Sequence, residues 1–178
     1  LIDLSLISLL PVLVSRMPLA VEPLAFLIPI AGGLGTVVMQ YPLAIISDIL
    51  GSRITAYLSA TSGVILCSLI PFYLDSIFVS LAFTFLGSGL VYFMYTISLA
   101  MLSERFKQRK LISANASFIV LFEFSSLIGP VIAGSFIDKS LNFGLSIFLV
   151  LIGLTYIIVA RIRDFQRSRK NIAFKKNR

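Results

Sequence analysis

Apolar residues in this chain come in long runs, and short clusters of charge, Gly, Pro or Asn interrupt them. A helix that crosses a bilayer needs about 20 mostly apolar residues. Read for that length, the chain predicts six spans: Leu1–Ser15, Leu24–Ser47, Ile54–Leu74, Ile77–Leu102, Leu111–Ile137 and Phe143–Ala160. The first is short and opens inside an apolar run at Leu1, with no initiator Met and no basic leader. It reads as a cut span rather than a signal peptide. Barrel strands do not fit, because most runs far exceed the roughly 9–11 residues such a strand needs and period-two alternation is missing. The breaks are Arg16–Pro23, Asp48–Arg53, Asp75–Ser76, Ser103–Lys110 and Asp138–Asn142. None is long enough to hold a soluble domain. The pattern therefore predicts an all-α membrane bundle over residues 1–160 and a basic tail over 161–178.

Composition sharpens this. Of 178 residues, 58% are hydrophobic and 13% charged, with a mean hydropathy of +1.00. A soluble domain is nearer a quarter charged, and one of this size could not hide so much apolar surface. A soluble enzyme and a nucleic-acid module are excluded first. There is no His, which removes the commonest metal ligand and the usual proton carrier near neutral pH. The single Cys67 lies in an apolar run and reads as a small residue filling a helix face. No metal cluster, nucleophile–base pair or phosphate loop stands out, so neither a cofactor nor catalysis is expected.

The net charge of +7 matters for where it sits. If six spans alternate, one side holds Arg53, Arg105, Lys107, Arg109, Lys110, Arg161, Arg163, Arg167, Arg169, Lys170, Lys175, Lys176 and Arg178. The other side holds Arg16 and Lys139. Lys and Arg are retained on the cytoplasmic face during insertion. The thirteen mark the cytoplasm and the two mark the outside, with the basic tail anchored near anionic headgroups. Nucleic-acid binding is a poor rival, since no folded basic domain accompanies the tail.

Several spans carry polar stripes at helical spacing. Pro29, Gly33, Thr36 and Gln40 form one, Thr84, Ser88, Val91, Tyr95 and Ser98 a second, and Ser5, Ser8, Val12 and Ser15 a third. Spans one, two, four and five are then expected to face an aqueous path, with the blander three and six facing lipid. Small and hydroxyl residues also serve close helix packing, which is the favoured reading for Gly32, Gly33 and Gly35. Glu123 is the sharpest single residue. It sits near the middle of the fifth span, where a charge costs about 2.5–3.5 kcal/mol. It must face a cavity, find a partner or stay protonated. Ser126, Pro130 and Gly134 follow at i+3, i+7 and i+11, so its face is the less oily one. That suits a proton-exchanging carboxyl, and equally a neutral acid bonded to a neighbouring helix.

The stretch Gln40-Tyr41-Pro42-Leu43-Ala44-Ile45-Ile46-Ser47-Asp48-Ile49-Leu50-Gly51-Ser52-Arg53 resembles the loop signature of the major facilitator superfamily. That signature reads approximately Gly-x-Leu-(Ala/Ser)-Asp-Arg-x-Gly-Arg-(Arg/Lys), often with a Pro two places before the first Gly. Pro42, Ser47, Asp48, Gly51 and Arg53 match in identity and spacing, Ala44 stands for the first Gly, and Ile49 and Ser52 replace two basic residues. The loop chemistry is readable by itself: Gly51 permits a tight reversal, Asp48 can cap or face a helix N-terminus, and Arg53 can hold a carboxylate or phosphate headgroup. It also suits an ordinary charged turn. Ile128-Gly129-Pro130-Val131-Ile132-Ala133-Gly134 is similar to a Gly-Pro-x-x-(Ala/Gly)-Gly pattern of the superfamily, where Gly129, Pro130 and Gly134 would shape helix packing. Ala44–Asp48 and Gly134–Asp138 both read small-x-x-x-Asp at a span end, a faint echo of an inverted repeat.

The resemblance implies the C-terminal six-helix half of a twelve-helix transporter, closest to the bacterial YcaD-like branch, in the cytoplasmic (inner) membrane with its C-terminus inside. It implies a secondary active transporter that moves a small solute by alternating access, to which the placement of Glu123 adds proton coupling. Glu123, Gln40, Tyr95 and Ser126 are the candidates for solute or proton contact. Asp48, Gly51 and Arg53 are the candidates for gating. The expected partners are the lipid bilayer, the solute, and an N-terminal six-helix half or a second copy of this chain. An inactive fragment of a split gene and a homodimeric half-size membrane protein remain as alternatives.

Overall fold

The computed structural model describes residues 2–15, 22–74, 76–140 and 143–176. Arg16, Asp75, Asn142 and Arg178, used above in placing breaks and charge, lie outside the described residues. Every regular element among the described residues is helical: α1 Ile2–Ser15, α2 Glu22–Val38, α3 Gln40–Leu50, α4 Ser52–Leu69, α5 Ile77–Arg105, α6 Arg109–Lys139 and α7 Gly144–Lys176. A short 3-10 turn, Ile70–Phe72, extends α4.

By length and apolarity four helices can cross a membrane, or five when α2 and α3 count as one bent span. The sixth expected span falls short, because the 14 residues of α1 reach only about 21 Å. The second span is broken rather than straight. α2 and α3 meet at Met39 with a bend of 41°. Pro42 accounts for it. Its ring nitrogen carries no N–H for the Val38 carbonyl, and its ring crowds that turn. At its other end, α7 runs unbroken past Ala160 to Lys176, so the basic stretch continues the last helix.

Lipid tails are as apolar as Leu, so helices in a bilayer associate by close packing rather than by hiding from water. Glycine supplies the closest approaches here. A Cβ on Gly35 of α2 would run into the Phe85 carbonyl of α5. One on Gly89 would sit 2.7 Å from the Gly35 carbonyl and 2.6 Å from Met39 Cγ. On α4, Thr55, Ala56, Ser59, Ala60, Gly63 and Cys67 are all buried, forming a stripe of small residues. The Cys67 thiol sits 2.6 Å from where a Cβ on Gly87 would be.

This stripe adds to one expectation. Span three was read as lipid-facing, and the stripe gives α4 a second, buried face. Its small residues bring it against α5 and α7, while its Ile and Leu, such as Ile54, Leu58 and Ile65, point outward. The glycine expectation divides as well. Gly32 packs against Ser88 and Thr84, and Gly35 against Phe85, but no atom lies within 4 Å of a Cβ built on Gly33.

The two ends of the bundle differ in charge. At one end Ser52 Oγ donates to Glu104 Oε1 at 3.4 Å, bringing the start of α4 to the end of α5. At the other, Ser146 Oγ donates to the Ser68 carbonyl at 2.7 Å, and the rings of Phe72 and Phe143 lie 5.5 Å apart. Helix direction then puts Arg53, Arg105, Lys107, Arg109, Lys110, Arg161 and Arg163 at the first end, and Lys139 at the second.

Gly35→Ala is expected to destabilise the fold by about 1–3 kcal/mol or more, the usual cost of overpacking. Gly33→Ala, in open space, is expected to be neutral or stabilising by up to about 1 kcal/mol. Unfolding curves in mixed micelles would separate the two, and equal effects would contradict the backbone contact.

Candidate functional site

Several hydroxyls of the polar stripes turn back onto their own helix. Thr36 Oγ1 donates to the Gly33 carbonyl at 2.7 Å, Thr84 Oγ1 to Ser80 at 2.8 Å, Ser98 Oγ to Met94 at 2.6 Å and Ser126 Oγ to Phe122 at 2.9 Å. Such bonds satisfy a hydroxyl without water or ligand. Thr84 and Ser88 are buried, with Ser88 facing Gly32, so this half of the α5 stripe packs against α2. Within this chain it does not line an aqueous path.

A different set of contacts forms at the middle of the bundle. Gln40, the first residue after the bend, uses both ends of its amide. Nε2 donates to the Thr36 carbonyl at 2.9 Å, and Oε1 accepts from Thr96 Oγ1 at 2.7 Å. The first bond satisfies a carbonyl beside the bend, and the second ties α3 to α5. The next residue back, Tyr95, turns the other way. Its ring centroid lies 4.8 Å from Phe122 and 5.6 Å from Phe118, both on α6, and 5.8 Å from Tyr92.

Glu123 follows Phe122 but points off this face and is exposed. Ser126, Pro130 and Gly134 are half-buried beside it, and Gly129 is buried. The structure brings Gln40, Tyr95 and Ser126 to a similar level without joining Glu123 to them. Around Glu123, Val120, Leu121, Phe124, Leu127 and Val131 are exposed apolar residues. The carboxyl therefore stands on the least covered helix. Gly134 has no neighbour within 4 Å of a built Cβ, so the close approach expected of it is not made within this chain.

The loop after α3 shows the reversal that its glycine allows. Gly51 has φ 85° and ψ 145°, in the region that L side chains rarely adopt, and its N–H donates to the Ser47 carbonyl at 2.8 Å. Gly51 is also the N-cap residue of α4, with no side-chain cap. Asp48 is exposed in the last turn of α3 and is not the residue that caps α4. The cap position falls three residues later, where Gly51 has no side chain to offer. The Gly51 carbonyl instead accepts the Thr55 hydroxyl at 3.1 Å.

Comparison with known proteins decides the family. The family model described as Major Facilitator Superfamily matches residues 8–177. The chain belongs to the Major Facilitator Superfamily. It is an integral multi-pass membrane protein, and this family consists of transporters rather than enzymes. A similar protein is an uncharacterised MFS-type transporter, YfkF of Bacillus subtilis (strain 168), 26% identical over 141 residues. That match takes in 79% of this chain and 36% of YfkF, so the chain spans little more than a third of that relative. No solved structure matches.

Two features of this superfamily member escaped the stripe reading. Thr96 lies one residue off the Thr84–Tyr95 stripe, so helical spacing passed over it although it holds Gln40. Arg105 and Arg163 were read only as topology signals, yet both line a cavity with Arg53. The bend at Met39 had a signal in Pro42. Thr96→Val is expected to cost about 0.6 kcal/mol, the average for one interhelical hydrogen bond, and not more than about 1.7 kcal/mol. A double-mutant cycle with Gln40→Leu should return a coupling of that size. Zero coupling would show that the pair does not hold α3 to α5.

Proposed function

We propose that this chain is the C-terminal six-helix half of a major facilitator transporter in a bacterial cytoplasmic membrane, with the basic end of the bundle inside. It moves a small solute by alternating access, in which two helical bundles rock about a midplane site. Family membership supports transport. The segregation of Lys and Arg to one end of the helices supports the orientation. α1 contributes to the sixth span. An N-terminal half, or a second copy of this chain, covers the exposed apolar face of α6.

Glu123 carries the coupling reading. Among the described residues it is the one carboxyl at the centre of a long apolar helix. An ionisable group at that depth is expensive and marks an ion or proton path by default. With its helix facing the partner half, the carboxyl reaches the cleft and exchanges a proton as the bundles rock. Gln40, Tyr95 and Ser126 contact the solute or help position the carboxyl. At the bend, the Gln40 amide exchanges its Thr96 partner for a polar group of the solute. Asp48, Gly51 and Arg53 form the loop that holds one closed state.

Glu123→Gln keeps the shape and removes the titratable proton. Uptake of the solute driven by a pH gradient is expected to vanish in this variant, with membrane protein levels unchanged and downhill exchange retained. Undiminished accumulation against the gradient would reject coupling through Glu123.

A further inference from the structure

On the basic side of the Tyr95–Phe118 contact, the helices part around a cavity of about 730 Å3. Its wall draws on four helices: Arg53 and Tyr57 from α4, Ser98 and Arg105 from α5, Phe118 from α6, and Tyr156 and Arg163 from α7. That volume lies within the range of small-molecule sites, far more than one bare inorganic anion needs. Three arginines line one space, and none of their guanidinium groups can shed its proton. Arg105 and Arg163 form no ion pair among the described residues, and no carboxylate appears among the described residues of the wall. Glu104, the acidic neighbour of Arg105, is turned to Ser52 instead. A further cation adds to the field, since the Arg161 guanidinium lies 5.8 Å from the centre of the Tyr57 ring.

The same cavity has an apolar flank in Met101, Leu102 and Val159. Its occupant therefore carries negative charge and an apolar or lipid-like portion. Guanidinium forks bind phosphate oxygens bidentately. Basic pockets between membrane helices also suit anionic lipid headgroups.

We propose that this cavity binds a phosphate monoester or diester anion, as carried by an anionic phospholipid headgroup or by a soluble organic phosphate. The site is separate from the Gln40–Thr96 level and does not depend on the transport reading or on which face of the membrane is basic. Occupancy ties α4, α5 and α7 together at the end where α6 packs most loosely. Because the guanidinium groups lie at the bundle end, binding weakens as salt rises.

The test uses the purified protein in neutral detergent, with the unfolding midpoint followed as ligand is added. Phosphatidylglycerol is expected to raise the midpoint saturably and in a salt-sensitive way, and phosphatidylcholine to leave it unchanged. In Arg105→Gln/Arg163→Gln the apparent affinity should fall at least tenfold, while Lys139→Gln, at the opposite end, should keep it. Glycerol phosphate without lipid separates the sources: a saturable shift from it alone assigns a soluble ligand, and a shift from phosphatidylglycerol alone assigns the lipid. If the double Gln variant fails to fold, Arg105→Lys/Arg163→Lys decides. It keeps the charge and should retain the preference for phosphatidylglycerol over phosphatidylcholine. Wild-type affinity in the double Gln variant, equal shifts from both lipids in the Lys variant, or no response to any phosphate would overturn the proposal.

Discussion

Inside hydrocarbon no water is available to satisfy a backbone or side-chain polar group, and each one left bare costs several kcal/mol. The rest of the structure follows from that constraint. It makes every described regular element helical and turns Thr84, Ser98 and Ser126 back onto carbonyls of their own turns. It also explains the care taken at the bend. Pro42 leaves the Val38 carbonyl without its usual donor, and one residue after the break Gln40 reaches back to Thr36 and across to Thr96. A broken helix survives at membrane depth only where such partners surround it. Broken helices are where transporters place their binding groups.

With no hydrophobic drive between helices, contact rests on how closely backbones approach. Gly35 and Gly89 let α2 and α5 nearly touch, while Gly63 and Gly87 bring α4 to α5. At one end α3, α4 and α5 pack around Leu43, Ala56, Phe93 and Ile97. A second cluster around Cys67, Ile70, Leu145 and Leu149 sits at the other end. α6 is held more loosely, chiefly through α1, α7 and the rings around Tyr95. The exposed carboxyl of Glu123 stands on this looser helix. The packed helices supply a scaffold, and the looser helix carries an exposed apolar face.

Much of the architecture was legible in the sequence because apolar run length reports directly on bilayer thickness. The positions of α4 to α7 follow from it, and so does the charge difference between the two ends, since insertion acts on Lys and Arg one loop at a time. The signature stretch disclosed the family for a similar reason, with Asp48, Gly51 and Arg53 falling in one tight loop. Orientation around each helix axis was harder. A serine that faces water and a serine bonded to its own helix leave the same stripe in the sequence, and in the Thr84–Ser98 stripe both end residues are bonded to their own helix. The burial of α4 was hidden because Thr55, Ser59, Gly63 and Cys67 look bland one at a time and matter only as a surface that α5 can approach. The convergence of Arg53, Arg105 and Arg163 joins three helices distant in sequence, and no local pattern encodes it.

The orientation of the basic end is the claim on which transport direction, gating loop and tail all depend, and sidedness can be read directly. With Cys67 replaced by Ala, Lys107→Cys and Lys139→Cys each place one thiol at an opposite end of the bundle. Intact cells treated with a membrane-impermeant thiol reagent are expected to show labelling at position 139 and none at position 107 until the membrane is opened. Labelling of position 107 from outside the intact cell would contradict a cytoplasmic basic end.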